Sequence, residues 1–491
     1  MKFAAVASVL CTVLCFGLVA AGADWPQWRG PNRDGKSAET GLLKRWPAEG
    51  PKLLWTADVN LGKGYSSMAV TKDAIYTTGL VGREGYVFAI DSSGKLKWKL
   101  SYGPEWTGDP PSARTTPTVD GDRIYIMTGL GRIICIDTKT QKEKWSIDTF
   151  QKFGGRNIAW GIAESPLVYG DTVVCTPGGN DAALVALDKM TGKTLWTTRG
   201  LSDRAGYCSP LLIQRGEKKL IVTVTANNIV GIGADDGQVL WKAPHRNQCA
   251  AHPVTPLYQD GQIYVTSGYN MGGVALRLAP DGAGVEQAWA DKTLDVHHGG
   301  VVLVGGYIYG ASWMGNNNGN WICLDWKSGQ VKYDTQWKGK GCIVAADGML
   351  YCYNERGDVA LVEATPAGFK PVSSFPVTAG GGEHWAHPAI ADGRLYIRHG
   401  GALLAYDIRG ASWKAQAAEA PRPRQAPAAE KPPAAEKDAN EAKAQAKLTI
   451  AMTYLRARMK DNAAETLQSI VDTYPGTKAA EQAKAELEKL K

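Results

Sequence analysis

A single motif recurs along this chain: a short apolar strand that ends in Asp, a turn, and an aromatic residue about eight positions after the Asp. Its fullest copy is Ala186-Leu187-Asp188-Lys189-Met190-Thr191-Gly192-Lys193-Thr194-Leu195-Trp196. The residues that close the apolar strand in successive copies are Asp91, Asp137, Asp188, Gly233, Ala279, Asp325, Glu363 and Asp407. These positions recur at intervals of roughly 45 residues, which indicates an array of similar structural units.

Each repeat has room for four strands. Turns such as Gly121-Asp122 and Asp260-Gly261 open the second strand, because Gly takes a positive φ without steric cost. An earlier strand begins near Pro, as in Ser165-Pro166 and His387-Pro388, where Pro removes no ladder hydrogen bond. A four-stranded unit of this length is typical of a propeller blade. The sequence therefore predicts an all-β fold, an eight-bladed β-propeller of four-stranded antiparallel blades over residues 24–413.

The ring needs a strand to close it. The last repeat is short after Asp407, whereas the early segment Leu53-Leu54-Trp55-Thr56 has the form of an outer strand without a blade. We expect this segment to complete the eighth blade and so remove a free sheet edge. The alternative is that Trp413 supplies the closing strand. The aromatic residue of each repeat is predicted to fill the wedge between neighbouring blades.

The N-terminal residues 1–23 have the pattern of an export signal. Lys2 precedes an apolar run from Phe3 to Ala20, and Ala21-Gly22-Ala23 forms a small-residue cleavage site. The mature chain would begin at Asp24 and reside in the periplasm or cell envelope, with no membrane-length apolar run after it. An uncleaved membrane anchor is the alternative interpretation.

The charge and cysteine content narrow the classes of partner. The formal net charge is +7, and basic residues are scattered among acidic ones, which does not predict a nucleic-acid surface. Of nine cysteines, Cys11 and Cys15 lie in the signal segment, and the others show no metal-binding spacing. In an oxidising compartment two bridges are conceivable, between Cys342 and Cys352 and between Cys208 and Cys249. The alternative is that all are buried thiols.

The C-terminal region changes composition and period. Residues 414–439 are rich in Ala, Pro, Glu and Lys, which is typical of an extended linker. Residues 440–491 show helical periodicity, and Tyr474-Pro475-Gly476-Thr477 is expected to end one helix and cap the next. The apolar positions predicted to form the helical faces are Leu448, Ala451, Met452, Leu455, Ala463, Leu467, Ile470, Val471, Ala480, Ala483 and Leu487.

The repeat from Ala186 to Trp196 resembles the pyrroloquinoline-quinone-like (PQQ-like) propeller repeat, and the opening from Asp24 to Pro31 is similar to that of exported members of this superfamily. The resemblance implies one of two branches. Quinoprotein dehydrogenases hold PQQ and a calcium ion at the ring centre, whereas BamB-like propellers assist assembly of outer-membrane proteins without catalysis. This chain lacks the vicinal Cys-Cys pair of the enzyme branch, and no segment allows its calcium ligands to be transferred. The tail resembles a tetratricopeptide-type helical unit.

Six of the seven histidines lie in the segments that connect one blade to the next, at one mouth of the predicted central channel. Residues predicted to bind a ligand or partner there are Arg114, Arg156, Trp160, Glu164, Arg204, Tyr207, His245, Arg246, Asn247, His252, His297, His298, Lys338, Lys340, Glu383, His384, Trp385 and His387. Candidates for a metal site are His297, His298, Glu383, His384 and His387. The cations and tryptophans alternatively suit an anionic, planar ligand. A third interpretation is that these side chains satisfy buried backbone groups.

We therefore expect a binding or scaffold module of the cell envelope, with a BamB-like role in outer-membrane assembly as its specific form. Its partners would be envelope or outer-membrane proteins, contacted by the propeller face and the C-terminal helices. The alternative is a quinoprotein-type oxidoreductase that uses PQQ, with calcium, or a metal at the channel mouth. A ligand sensor or polysaccharide-associated accessory protein is a third interpretation. No catalytic residue is assigned.

Overall fold

The computed structural model describes residues 24–57, 59–414, 441, 444–445, 447–449, 451–452, 454–455 and 460–490. The chain divides into two units, Met1–Ala418 and Glu419–Lys491, and each is described by itself. The predicted export signal, and the predicted linker apart from Lys414, lie outside the described residues.

The first unit is an eight-bladed β-propeller, as predicted. Two strands precede its first blade, β1 (Lys36–Ser37) and β2 (Lys52–Ala57). The strands of blades 1 and 2 are β3 (Ala69–Val70), β4 (Ile75–Val81), β5 (Glu84–Ile90), β6 (Leu96–Pro104), β7 (Thr118–Asp120), β8 (Arg123–Met127), β9 (Arg132–Asp137) and β10 (Lys142–Asp148). A short helix, α1 (Thr149–Phe153), leads to blades 3 and 4. Their strands are β11 (Leu167–Tyr169), β12 (Thr172–Cys175), β13 (Val185–Asp188), β14 (Thr194–Thr197), β15 (Leu211–Arg215), β16 (Lys218–Val224), β17 (Asn228–Gly233) and β18 (Val239–Pro244).

The second half of the ring repeats this plan. The strands of blades 5 and 6 are β19 (Leu257–Gln259), β20 (Gln262–Ser267), β21 (Gly272–Leu278), β22 (Val285–Asp291), β23 (Val301–Val304), β24 (Tyr307–Ala311), β25 (Asn320–Asp325) and β26 (Val331–Gln336). The strands of blades 7 and 8 are β27 (Gly341–Ala346), β28 (Met349–Asn354), β29 (Asp358–Glu363), β30 (Pro371–Pro376), β31 (Ala389–Ala391), β32 (Arg394–His399) and β33 (Ala402–Asp407). The four main strands of each blade pair in antiparallel order. The predicted register residues stand at or just after the end of each third strand.

The N-terminal strand β2 closes the ring. It pairs with β33 in antiparallel register, with Leu53 opposite Tyr406 and Trp55 opposite Ala405, and so forms the outer strand of blade 8. The expected closure by the Leu53–Trp55 segment is confirmed, and the alternative through Trp413 is wrong. Blade 7 carries a fifth strand that the sequence did not reveal, because β1 pairs in parallel with β27.

Tryptophans join neighbouring blades at the turn glycines. The ring of Trp55 in blade 8 covers Gly94 of blade 1 so closely that a Cβ on Gly94 would lie 2.7 Å from Trp55 Cδ2. Trp55 Nε1 also donates to the carbonyl of Ser92 at 2.9 Å. The same contact recurs in the pairs Trp145–Gly192, Trp196–Gly237 and Trp289–Gly329. The predicted aromatic wedge is confirmed at these four blade junctions, where only Gly leaves room for the indole.

The segment from Trp25 to Gly35 lies on the ring axis and contacts all eight blades. We call it the N-terminal plug. Trp25 pairs with Val70 of blade 1, and the carbonyl of Pro26 accepts from Val119 N of blade 2 at 2.8 Å. Trp28 Nε1 donates to Thr255 Oγ1 of blade 5 at 2.9 Å. These bonds link sequence-distant inner strands through one short segment.

Two buried arginines of the plug reach the remaining blades. Arg33 donates to the carbonyl of Ser165 in blade 3 and that of Pro210 in blade 4, each at 3.0 Å. Arg29 donates to the carbonyls of Val301 in blade 6 and Ile343 in blade 7, the latter at 3.5 Å. Its Nη1 also lies 3.2 Å from His387 Nδ1, just before blade 8. A fully buried guanidinium is stable only when its donors are satisfied, and these carbonyls supply the acceptors.

The cysteines outside the predicted signal are all free thiols. In the β27–β28 pair, Cys342 stands opposite Tyr353, and Cys352 stands opposite Ile343. Since alternate residues of a strand point to opposite faces, the two thiols lie on opposite sides of the blade. Both bridges considered from the sequence, Cys342–Cys352 and Cys208–Cys249, are wrong, because all four of these cysteines are free. Burial raises the pKa of the Cys342 thiol to about 12.

The second unit contains α2 (Lys460–Thr473) and α3 (Lys478–Leu490). The predicted stop between them is confirmed, because Thr477 Oγ1 accepts the amide of Ala480 at 3.1 Å and so caps α3. The buried apolar side chains among the described residues of this unit are Ala444, Leu448, Ala451, Ala463, Leu467, Ile470, Ala479, Ala480 and Ala483. Its tetratricopeptide-like character stays a prediction. Among the described helices, none combines the length and apolarity that crossing a membrane requires.

Candidate functional site

One mouth of the central channel contains a cavity of about 700 Å³. The antiparallel order of each blade brings the blade-to-blade connectors and the turns between second and third strands to the same face of the ring. The cavity lies among these segments, above the N-terminal plug. Its lining residues are Trp28, Tyr65, Asp109, Pro110, Arg114, Trp160, Ala163, Tyr207, Ser209, Ala251, Pro253, Tyr269, His297, His298, Trp313, Asn316, Trp385 and His387.

The cavity wall is mainly aromatic. Tyr269 and Trp313 have ring centroids 5.0 Å apart and planes inclined by 48°. Tyr65 and Trp385 are 4.8 Å apart and inclined by 49°, and Trp160 and Tyr207 are 6.0 Å apart and inclined by 43°. Such tilted pairs hold one another rigid and present ring faces in several directions. A concave wall of this kind suits a ligand with apolar faces of different orientation.

Three imidazoles complete the wall. His297 Nε2 is 2.9 Å from the hydroxyl of Tyr269. His387 Nε2 is 2.7 Å from the carbonyl of His298. Burial lowers the pKa of His297 to about 2 and lowers the pKa values of His298 and His387. His297 and His387 are therefore neutral at pH 7, and a neutral imidazole has one N–H donor and one acceptor nitrogen.

Six buried nitrogen atoms of the wall residues have no hydrogen-bond partner among the described residues. They are Arg114 Nε, His297 Nδ1, His298 Nδ1, His298 Nε2, Trp313 Nε1 and Trp385 Nε1. Buried polar atoms are normally satisfied, so a cluster of open ones beside a cavity points to a guest that satisfies them. The indole groups can only donate, whereas the imidazole nitrogens donate or accept.

A buried charge network stands behind His298. Glu355 forms an ion pair with Lys340, and both side chains are almost fully buried. Glu355 Oε1 also lies 3.0 Å from His298 Nε2, a contact distance whose angle falls outside hydrogen-bond geometry. Glu355 Oε2 accepts the amide of Asn317 at 2.6 Å. Although burial opposes ionisation of Glu355, His298 and Lys340 together lower its pKa to about 2. The network anchors the turn that carries Trp313 and Asn316 to blade 7.

Exposed arginines occupy one side of the mouth. Arg156, Arg204 and Arg246 lie on three successive connectors, and all three are exposed. Arg114, on the preceding connector, lines the cavity and donates to the carbonyl of Pro110 at 2.7 Å. We call these four residues the arginine arc. Within the described part of the chain, the guanidinium groups of its three exposed members have no hydrogen-bond or ion-pair partner.

The structure brings some of the residues predicted from sequence to the cavity wall. Those that line it are Arg114, Trp160, Tyr207, His297, His298, Trp385 and His387. Three others, Arg156, Arg204 and Arg246, belong to the arginine arc, and Lys340 stands in the network behind the wall. Glu383 is exposed, and its charge acts on both Tyr65 and Lys340, which places it near the mouth. Lys338 is exposed and pairs with Asp358 at 2.7 Å.

Other predicted residues have their polar atoms engaged within the fold. His245 Nε2 and His252 Nδ1 both lie 2.8 Å from Ser267 Oγ. Asn247 donates to the carbonyl of Ala251 at 2.6 Å. His384 stacks on His399 with centroids 3.7 Å apart. These four predicted residues do not line the cavity.

Glu164 belongs to a repeated structural device. Its Oε1 accepts the amide of Thr176 at 2.6 Å, just after the second strand of blade 3. Glu105 accepts the amide of Gly129 in blade 2 at 2.7 Å, and Asp203 accepts the amide of Asn227 in blade 4 at 3.1 Å. In each case a connector carboxylate holds the inner turn of the next blade. Burial raises the pKa of Glu164 to about 7.

The candidate metal ligands do not form one cluster. His387 uses both ring nitrogens, on Arg29 and on the carbonyl of His298. His384 Nδ1 lies 2.5 Å from the hydroxyl of Tyr353. Over the residues that the structure describes, no group of three or more His, Cys, Asp or Glu side chains is arranged to hold a metal ion.

Several wall residues were not identified from the sequence. They are Trp28, Tyr65, Asp109, Pro110, Ala163, Ser209, Ala251, Pro253, Tyr269, Trp313 and Asn316. Trp28 comes from the plug, whereas Tyr269, Trp313 and Asn316 come from turns between second and third strands. The antiparallel blade order predicts that these turns share a face with the connectors, and that signal was available in the sequence.

Comparisons with known proteins agree on the fold and diverge on activity. The profile of the family described as "Outer membrane protein assembly factor BamB" matches residues 83–335, just over half of the chain. Quinoprotein alcohol dehydrogenase PedH of Pseudomonas putida is 26% identical over 156 residues, which are 30% of this chain and 25% of that enzyme. The chain thus spans about a quarter of the length of such relatives.

Two solved structures show the same architecture. BamB from Moraxella catarrhalis has a TM-score of 0.54 and 15% identity, and the match covers 73% of this chain and 99% of that one. Quinohemoprotein alcohol dehydrogenase from Comamonas testosteroni has a TM-score of 0.61 and 13% identity, and covers 79% and 81% respectively. At these identities the likeness concerns the fold alone.

Proposed function

Because the chain belongs to the PQQ-like β-propeller family described as outer membrane protein assembly factor BamB, we propose that it is an exported binding module of the cell envelope. Its recognition site is the aromatic cavity at the channel mouth. The export signal at residues 1–23, outside the described residues, is part of this proposal.

One observation carries the proposal: Trp313, Trp385, His297 and His298, whose buried ring nitrogens have no hydrogen-bond partner among the described residues, all line one rigid aromatic cavity. The cavity volume of about 700 Å³ falls within the range of ligand pockets. Its wall consists of side chains held by one another and by the plug, so a guest meets a preformed surface. Preformed surfaces bind with a smaller entropic cost than surfaces that must be ordered.

A quinone does not fit this donor set well. PQQ is a tricarboxylate, and the quinoprotein branch holds it together with calcium. Arg114 is the single cation on the cavity wall among the described residues, and Asp109 offsets its charge. His297 and His387 are neutral, and the described residues lack an acidic cluster for a divalent ion. The sequence also lacks the vicinal Cys-Cys pair of the quinoprotein branch, which is a second argument against PQQ binding.

The relatives support a second candidate function, that of a quinoprotein-type oxidoreductase. It rests on the match to quinoprotein alcohol dehydrogenases over 30% of this chain. Mixing the full chain with PQQ and calcium, then measuring quinone absorbance and dye reduction with alcohols, tests it. Stoichiometric quinone with turnover would replace the binding proposal by an enzymatic one.

Partner capture from an envelope extract tests the binding function. The full chain is immobilised beside a variant with Trp313→Ala and Trp385→Ala, and beside a control with Leu195→Ala on the exposed outer strand β14. We expect the unchanged chain and the control to retain the same partner, and the cavity variant to lose it. Equal capture by all three proteins would contradict recognition through the cavity.

A further inference from the structure

We propose that the ligand of the cavity is an acidic glycan, whose sugar rings enter the aromatic cavity and whose anionic groups meet the arginine arc. The inference rests on the proposed binding function and names the chemical class of its ligand. It is carried by two features of one mouth: aromatic and imidazole wall residues whose buried ring nitrogens have no partner among the described residues, and exposed guanidinium groups without a partner among them.

The arginine arc places positive charge on successive connectors at one part of the mouth. Arg156, Arg204 and Arg246 are exposed on the connectors that enter blades 3, 4 and 5. The positive charge of Arg204 acts on the hydroxyl of Tyr207, so this guanidinium stands beside the cavity wall. Guanidinium groups bind carboxylate, sulfate and phosphate through paired N–H donors in one plane. A chain molecule with repeated anions can therefore bridge successive members of the arc.

Acidic residues also stand at the mouth. Asp109, on the same connector as Arg114, and Glu383, on the connector that enters blade 8, both act on the Tyr65 hydroxyl. An anionic chain is repelled near these carboxylates and attracted towards the exposed arginines of blades 3 to 5.

The cavity interior favours sugar rings. A pyranose presents apolar C–H faces and hydroxyl groups that both donate and accept, so one ring can pack on an aromatic face and satisfy indole and imidazole nitrogens together. Trp313 and Trp385 offer N–H donors next to their own ring faces. The neighbouring aromatic planes are inclined by 48° and 49°, so their faces point in different directions.

Two other polyanions satisfy fewer of these features. An acidic peptide matches the arginines but carries few rings for the aromatic wall. A single-stranded nucleic acid stacks flat bases on aromatic platforms, which requires flat access to the ring faces. Trp160, Trp313 and Trp385 instead form a curved wall, because each ring is tilted against its own neighbour, Tyr207, Tyr269 or His298.

Titration calorimetry with four probes tests the ligand class. The probes are a carboxylated oligogalacturonate, a neutral cello-oligosaccharide of matched length, poly-glutamate and a single-stranded oligothymidylate. We expect the oligogalacturonate to bind most tightly, and its affinity to fall as salt rises, because exposed charges are screened. Binding of poly-glutamate or oligothymidylate with equal or higher affinity would overturn the glycan assignment. Equal affinity for the neutral oligosaccharide would overturn the role of the arginine arc.

Matched variants locate the binding. Replacing Arg204→Ala and Arg246→Ala together should weaken oligogalacturonate binding by about tenfold or more, since each lost charge contact removes a fraction of the binding energy. Arg277→Ala with Lys327→Ala removes two exposed charges at a separate pocket and should leave the affinity unchanged. An equal loss in both double variants would show an effect of net charge alone and would contradict the proposed site.

Conservative replacement separates stacking from hydrogen bonding. Trp313→Phe retains an aromatic face but removes the indole N–H, so we expect it to keep part of the affinity that Trp313→Ala loses. If no probe binds while the cavity variant still loses its envelope partner, the glycan inference fails and the binding function stands. If partner capture is also independent of the cavity, both proposals fail.

Discussion

Arg29 Nη1 lies 3.2 Å from His387 Nδ1, and this contact joins the N-terminal plug to the cavity wall. A guanidinium has no acceptor, so Nδ1 must accept the hydrogen bond and the imidazole proton must reside on Nε2. Nε2 then donates to the carbonyl of His298 at 2.7 Å. The plug thereby sets the tautomer of one wall residue and holds the backbone of another.

Replacing Arg29→Met should lower the free energy of unfolding by about 2–3 kcal/mol, because buried carbonyls in blades 6 and 7 lose their donor. Urea titration of the full chain measures the change. Arg45→Met is the matched control, since Arg45 is exposed and makes one hydrogen bond to the carbonyl of Val372 at 3.2 Å. Similar losses in the two variants would show that the plug does not stabilise the ring.

The ring closure rests on the contact between Trp55 and Gly94, and Gly94→Ala tests it. A Cβ at Gly94 would lie 2.7 Å from Trp55 Cδ2, whereas one at Gly82 would have no heavy atom within 4 Å. Both glycines have positive φ, so Gly82→Ala carries the same kind of backbone penalty without the steric one. We expect Gly94→Ala to destabilise the protein by about 1–3 kcal/mol more than Gly82→Ala. Thermal unfolding at fixed protein concentration distinguishes the two.

The repeat pattern allowed accurate prediction of the blades. The residues that close each apolar strand, such as Asp188, and turns such as Gly121-Asp122 are signals that a short stretch of sequence carries. The hydrophobic alternation between them specifies strand order and register. The closing strand at Trp55 was predictable because an outer strand without a blade and a blade without an outer strand complement each other.

The plug and much of the cavity wall were not predicted. Arg29 and Arg33 carry no periodic signal, and their partners lie far away in sequence, so their burial follows only from the closed ring. Histidine placement identified His297 and His387 but also His245, which is bonded to Ser267 away from the cavity. Residue type alone does not separate these cases.

Stability should decline below neutral pH, and His252 should contribute to the decline. Burial lowers the pKa of His252 to about 4 from an ordinary value of 6.5. As pH falls, the unfolded chain therefore binds a proton at His252 before the folded chain does. The folded protein keeps its full stability above pH 6.5, the pKa in the unfolded chain. It loses stability as the pH falls from there towards about 4, the pKa in the folded chain. From pH 7 to 5 this corresponds to about 2 kcal/mol for one such group.

The equivalent positions in other blades suggest a variant that tests the contribution of His252 to the pH dependence of stability. Ser165 and Ser209 occupy the equivalent place before Pro, so His252→Ser introduces a residue that the fold accepts there. We expect the stability difference between pH 7 and pH 5 to shrink by about 2 kcal/mol in this variant. Urea titrations at both pH values check it, and an unchanged difference would show that His252 is not held neutral.

The buried pair of Glu355 and Lys340 should matter more for the local turn than for global stability. Replacing both by Met removes two buried charges together, which in other proteins is often neutral or stabilising. We expect the unfolding free energy to stay within about 1 kcal/mol of the original. The amide of Asn317, which Glu355 accepts at 2.6 Å, should exchange its hydrogen faster. Hydrogen exchange resolved to residues 312–319 measures this, and unchanged protection would contradict the anchoring role.

Photo-cross-linking in the intact cell envelope tests most directly whether the cavity mouth is the recognition site. A benzophenone amino acid replaces Met314, which is 61% exposed beside Trp313, or Leu195, which is 52% exposed on the outer strand β14. We expect a discrete adduct from position 314, and its loss when Trp313 and Trp385 are also replaced by Ala. Adducts of equal yield from both positions, or none from position 314, would contradict recognition at the cavity mouth.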